Sequence, residues 1–179
     1  MQTVTFRLHD SVPRNVIAAW KEATEEARDN GEKKLQREVL NRIAQYEDSG
    51  YGQCFLQDRR VAEMVQDTLL HFDGVKYSLV RWCIMPNHVH LLIEVVPGTT
   101  LSSIMHSIRS YTAHQANKLL NRTGKFWMEE YFDRFIRTDK HFRYAWDYID
   151  YNPVKAGLTV SPQEWPWSAA YVRDGSGRA

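Results

Sequence analysis

The stretch MPNHVHLLI, Met85 to Ile93, sets two histidines one residue apart inside an apolar run. Successive side chains of an extended chain alternate between two faces. Val89, Leu91, Ile93 and Val95 then share one face and suit a core, while His88, His90, Leu92 and Glu94 share the other. An imidazole in an apolar interior needs hydrogen-bond partners. The reading therefore puts His88 and His90 on the face opposite the buried one, where two imidazoles can converge. Such a pair suits a metal ion. It also suits satisfied surface or interface histidines, and a third ligand would have to come from elsewhere. Glu94 is read as a strand-end surface acid, with an added ligand or a histidine partner as the alternative.

Working outward, Tyr77 to Met85 reads as a strand, Pro86-Asn87 as a break and His88 to Val96 as a second strand, together a hairpin. Residues 3–8, TVTFRL, alternate with period two and form an earlier strand. Asp58 is a plausible N-cap for a helix over about 58–72 carrying Val61, Met64, Val65, Leu69 and Phe72. A second helix over about 101–121 carries Leu101, Ile104, Met105, Ile108 and Thr112. A strand is expected near 131–137. A last helix over about 139–151 is expected to stop at Asn152-Pro153, because the residue before proline disfavours helical geometry. Residues 14–48 are polar, with stripes Ile17, Trp20, Ala23, Ala27 and Leu35, Val39, Ile43, Tyr46 divided by Asn30-Gly31, so they read as two helices inserted into this order. Without them the order is β-α-β-β-α-β-α. That order predicts an α+β fold of the ferredoxin-like, split βαβ kind, an antiparallel sheet with helices on one face. The length of 179 residues fits one domain, 1–179, with residues 172–179 as a disordered tail.

Composition excludes several classes. Apolar residues make up 43% and charged residues 25%, ordinary for a globular domain. No apolar run approaches the roughly 20 residues of a membrane span, and the first ten residues do not read as a signal peptide. Cys54 and Cys83 form no CxxC pair, which argues against a disulfide framework and suits a cytoplasmic protein. There is no GxxxxGK[ST] loop, so no nucleotide cofactor is expected. Net charge is +1, but it is unevenly spread. Residues 9–50 hold nine acids and seven bases, and residues 76–155 hold eleven bases and seven acids. From Val95 to Met128 there is no acid, and Arg109, Lys118, Arg122 and Lys125 could face phosphates or form a solvated helix face.

The segment DYIDYNPVKAG, Asp147 to Gly157, supplies what the histidines lack. Phe142, Ala145, Trp146 and Ile149 form the core stripe of the last helix, and Tyr148 lies at its edge. Asn152 is four residues on, one turn above Tyr148 on nearly the same side. A phenol and an amide oxygen are thus presented together. An amide oxygen can ligate a hard cation, and a phenol can act as a nucleophile. Tyr144 lies one turn earlier without an Asn152-like partner, Tyr151 points away, and Tyr111 continues the stripe of Ile104 and Ile108 as a core residue.

The pairing of MPNHVHLLI with YIDYNPVKAGL, and the ending EWPWSAA, resembles the single-tyrosine HUH transposases, and among them the REP-associated tyrosine transposases (IS200-like). The resemblance covers roughly residues 50–170. It implies that Tyr148 is the catalytic nucleophile and that His88, His90 and Asn152 hold a divalent metal, Mg²⁺ or Mn²⁺. Insertion-sequence relatives often carry glutamine at the third ligand position, so Asn152 is a departure, one methylene shorter. The implied reaction is cleavage and rejoining of single-stranded DNA at hairpins through a 5′-phosphotyrosine, by a monomer or homodimer. Arg109, Lys118, Arg122, Lys125, Arg134, Arg137 and Lys155 are expected to grip the DNA. Trp127 and Phe126 are expected either to stack on bases or to pack in the core. The acidic insertion is expected to lie away from the DNA path. The alternatives are a hairpin-binding protein without catalysis and a metal-dependent phosphodiesterase that uses water.

Overall fold

The computed structural model describes residues 1–30, 38, 42–46 and 49–171. In chain order the elements are β1 (Gln2–Arg7), α1 (Arg14–Asn30), a short 3₁₀ turn (Phe55–Gln57), α2 (Arg59–His71), β2 (Tyr77–Ile84), β3 (His88–Val95), α3 (Leu101–Leu119), β4 (Phe132–Phe135) and α4 (Asp139–Lys155). A second 3₁₀ turn, Pro162–Glu164, follows. Residues 42–46 are helical, while Leu35, Val39 and the tail 172–179 lie outside the described residues.

The four strands form one antiparallel sheet in the order β2-β3-β1-β4. That is the split βαβ arrangement. Alternation in β1 explains its central place. Val4, Phe6 and Leu8 enter the main core with Val89, Leu91 and Ile93, against Val61, Val65 and Leu69 of α2 and Ile104, Met105 and Ile108 of α3. Asp58 caps α2 through the Arg60 amide at 3.0 Å, and Thr100 caps α3 through the Ser103 amide at 3.2 Å.

The opposite face is covered as well. Helix α4 packs there through Ile149, with Phe142, Trp146 and Tyr148 beside it, on Cys83, Met85 and Leu92. The histidine face is therefore an interior one. A β-bulge serves this packing. Leu79 pairs with Ile93, but Arg81 pairs with Leu92 instead of Leu91, because Val80 is extra. The slip aims Arg81 at α4 rather than at the main core. Its guanidinium lies 3.8 Å from the Trp146 ring centroid and 3.3 Å from Asp150.

Helix α4 does not stop before Pro153; the proline lies inside it. Pro153 sits in the last turn. There Ala156 N–H still bonds to Asn152 O, and Leu158 N–H reaches back to Pro153 O at 2.9 Å. Gly157, at φ 70°, turns the chain out, and its N–H bonds to Val154 O. This Schellman closure, which favours glycine, is what ends the helix. Asn152 is thereby held in regular helical geometry one turn above Tyr148.

After α4 the chain returns along the outer edge of β2. Ile84 N–H donates to Trp167 O at 2.8 Å, Ala169 N–H to Trp82 O at 2.9 Å, and the Trp165 indole N–H to Ile84 O at 2.9 Å. The EWPWSAA segment thus occupies a sheet edge that would otherwise present open hydrogen-bonding groups.

Candidate active site

The register builds the site. His90 lies opposite Thr5 on β1 and Cys83 on β2, and His88 lies opposite Arg7. His88 is 0% and His90 4% exposed, so the expectation of a solvent-side pair is corrected: α4 closes over them. Their ring nitrogens are accounted for. His88 Nδ1 is 2.7 Å from Asn87 Oδ1, and His90 Nδ1 is 2.8 Å from Thr5 Oγ1. The two Nε2 atoms face each other at 2.9 Å. Burial, with the Arg7 guanidinium nearby, pushes the His88 pKa down to about 3. His88 is neutral at physiological pH, the form that ligates metals.

Asn152, 1% exposed, enters from α4 with its side-chain nitrogen 3.1 Å from His90 Nε2, and its Oδ1 has no hydrogen-bond partner. Which amide atom points where is an assignment, since N and O are interchangeable by a flip. In either orientation two imidazole nitrogens and an amide converge, and one buried polar atom of that amide is left without a partner. These residues fit a divalent cation that accepts nitrogen and oxygen ligands. Among the described residues no cluster of three or more His, Cys, Asp or Glu side chains could hold a metal, so the amide is needed to complete this set.

Tyr148 lies beside the same group, its ring centroid 5.3 Å from that of His90 at 75°. Lys155 Nζ is 5.9 Å from its centroid. Tyr144 stacks on the outer side of Tyr148, 6.3 Å away, and is 69% exposed. Tyr151 is also exposed. Tyr111, expected in the core, is 53% exposed. Met105, Thr112 and Ala116 draw the centre of the α3 stripe away from it, leaving Tyr111 about 90° round the helix. Glu94 is an exposed strand-end acid.

The basic residues divide between the two faces. Arg109, Lys118, Arg122 and Lys125 belong to the α3 layer, on the side of the sheet away from the histidines. Arg109 is partly buried and donates to Met128 O; Arg122 bonds Asn117 Oδ1 and Lys125 O and lies over Phe55. Lys125 pairs weakly with Glu129 at 3.8 Å, and Lys118 is exposed. Trp127 and Phe126 are core residues, the indole N–H donating to Thr112 Oγ1 at 2.8 Å. Arg134 shares the histidine face through its pairing with Thr3 and is exposed, as are Arg137 and Lys155. The insertion does not stay clear of this face. Trp20 of α1 meets the ring of Phe132 edge-on at 4.7 Å, and Phe132 pairs with Thr5. Arg7, 2% exposed, lies over the same Phe132 ring, 4.3 Å from its centroid. Thr5, Arg7 and Asn87 were not among the expected site residues. The polar alternation Thr3-Thr5-Arg7 in β1 was the available signal for two of them.

A family profile described as "Transposase IS200 like" matches residues 55–152, from the 3₁₀ turn through Asn152. The chain belongs to this transposase family. An Escherichia coli K12 relative named REP-associated tyrosine transposase is 29% identical over 93 residues, covering 51% of this chain and 53% of its own length. A Haemophilus influenzae relative, provisionally bearing the same name, is 28% identical over 103 residues, covering 52% of this chain and 58% of its own length. The chain thus matches little more than half the length of these relatives. A solved structure of a REP-associated tyrosine transposase bound to a REP hairpin aligns with a TM-score of 0.52 at 19% identity, over 93% of this chain and 74% of that one. That likeness is one of fold. The matched residues span α2, β2, β3, α3, β4 and most of α4, and β1 and α1 lie before them in the chain. Among the described residues no helix is long and apolar enough to cross a membrane.

Proposed function

We propose that the protein cleaves and rejoins single-stranded DNA at hairpins, with Tyr148 as nucleophile and His88, His90 and Asn152 holding a divalent cation. The observation that carries this reading is the convergence of two facing Nε2 atoms and a buried, underbonded amide on one point, with the Tyr148 ring packed against His90. The hairpin substrate is drawn from the name and bound form of the relatives.

A cation held by His88, His90 and Asn152 would supply the charge that polarises and orients a phosphate. Tyr148 Oη attacks phosphorus, forming an O–P bond as the bond from phosphorus to the 3′ oxygen breaks. The phenolic proton is lost and the departing oxygen gains one, leaving a 5′-phosphotyrosine and a 3′-OH. One phosphodiester replaces another, so the reverse attack by a 3′-OH rejoins DNA without an external energy source. Lys155 places positive charge beside the Tyr148 ring, where the phosphate would come. Arg134 and Lys155 lie on the histidine side, where they would meet the DNA backbone, and Arg137 is exposed just past β4.

The test is incubation of labelled single-stranded hairpins with the protein and Mn²⁺ or Mg²⁺, followed by a denaturing gel. A labelled covalent adduct is expected. Cleavage without an adduct would point to water as nucleophile, and binding without cleavage to a non-catalytic protein.

A further inference from the structure

Asn87 is fully buried in the turn between β2 and β3, and both ends of its amide are engaged. Its Nδ2 donates to the Tyr51 carbonyl at 3.0 Å, and its Oδ1 lies 2.7 Å from His88 Nδ1. A carbonyl only accepts, so the Tyr51 bond decides which end of the amide faces His88. Oδ1 also only accepts, so His88 must carry its proton on Nδ1. Its Nε2 is then left with a bare lone pair, directed at His90.

The turn itself is pinned. Leu8 N–H donates to Asn87 O at 2.8 Å, and Leu56 N–H to Pro86 O at 3.1 Å. Tyr51 is held as tightly. Gly52 has φ 96°, and a Cβ there would lie 2.7 Å from the Asp10 carbonyl oxygen. Gln53 N–H donates to Asp10 Oδ2 at 3.0 Å. The place of the Tyr51 carbonyl therefore depends on residue 52 being glycine.

We propose that Asn87 and the Tyr51–Gln53 loop are a positioning device that locks His88 in its Nδ1–H tautomer and keeps Nε2 open for a cation. The cation half of this inference rests on the proposed function; the tautomer half does not. The device ties the site to the loop through which the chain returns from the 14–48 insertion, upstream of the family-matched region. Partners of this kind commonly change metal affinity by about 10–100-fold when removed.

The experiment combines ¹⁵N NMR of the histidine rings in metal-free protein with Mn²⁺ titration followed by electron paramagnetic resonance. In wild type, His88 should be protonated at Nδ1. Asn87→Leu removes the acceptor and should release the tautomer and weaken Mn²⁺ binding about 10–100-fold. Asn87→Asp keeps an acceptor toward Nδ1 but loses the donor to the Tyr51 carbonyl, so it should preserve the tautomer and weaken Mn²⁺ binding less than Asn87→Leu. Gly52→Ala, which touches neither histidine, should act like Asn87→Leu. Gly98→Ala has a comparable φ of 89° with open space around it and should match wild type. The proposal is overturned if Asn87→Leu retains the wild-type tautomer and affinity, or if Asn87→Asp loses as much as Asn87→Leu. Should Asn87→Leu not fold, Gly52→Ala decides in its place. If wild type binds no Mn²⁺, the cation reading fails, while the tautomers still decide the role of Asn87.

Discussion

Replacing His88 by alanine would open a void and strand Asn87 Oδ1 without a donor, because both groups are fully buried. Loss of activity in such a variant could not be separated from loss of fold, so His88→Gln, which keeps volume and polarity, is the better probe. It also tests the charge state. The folded pKa of His88 is depressed, so its imidazole stays neutral in the native protein while the unfolded chain takes up a proton there below the ordinary value of 6.5. The stability this contributes is present above that value and lost as pH falls toward 3. Melting temperatures of wild type and His88→Gln should therefore draw together as the pH is lowered from about 7.5 to about 5. A constant gap would mean that His88 does not titrate as its burial dictates. Tyr148→Phe removes one oxygen and keeps the ring against His90. Its stability change should stay within about 1 kcal/mol, hairpin affinity should survive, and the covalent adduct should vanish. Tyr144→Phe should retain the adduct, because its ring lies on the outer, exposed side of Tyr148. An adduct surviving in Tyr148→Phe would move the nucleophile elsewhere.

At the scale of elements, α4 carries half of the site, and its placement rests on few polar contacts. The bulge at Val80 turns Arg81 toward Asp150 and Trp146. Burial raises the Asp150 pKa, with Asp147 adding to the effect and Arg81 opposing it. Removing Arg81 leaves a mostly buried carboxylate without its cation. Arg81→Met should lower stability by about 3 kcal/mol in urea unfolding and loosen α4 enough to reduce adduct formation. A drop in stability below about 1 kcal/mol would show that apolar packing on Cys83, Met85 and Leu92 alone holds the helix. The end of α4 shows where local rules mislead. Asn152-Pro153 reads as a stop from neighbouring residues alone, yet Pro153 lies inside the last turn and Gly157 supplies the exit.

Across the whole molecule, the basic residues that the sequence groups together are parted by the sheet. Neutralising Arg134 and Lys155 should flatten the slope of log affinity against log salt, by up to about 0.7 for each single-strand phosphate that the protein no longer neutralises. Neutralising Lys118 and Lys125 should change it less, since they sit in the α3 layer. Equal effects, measured by fluorescence anisotropy on a labelled hairpin, would mean that DNA wraps both faces. Helix α1 bears on the same question. With Trp20 on Phe132 and Lys21 paired to Glu130 at 2.6 Å, it flanks the histidine face instead of standing apart.

The sequence by itself determined the strands, the hairpin at Pro86-Asn87, the shared face of His88 and His90, and the one-turn spacing of Tyr148 and Asn152. Each follows from a period of two or of 3.6 residues, which is local and readable. The tertiary structure alone decided that the histidine face is buried, because burial depends on α4, some fifty residues away in the chain, folding back over it. It also decided that Asn87 orients His88, that Arg109 and Arg122 turn inward to bond backbone carbonyls, and that Trp127 belongs to the core. These depend on which side of a packed sheet a residue meets, and no periodicity within one segment records what lies across it.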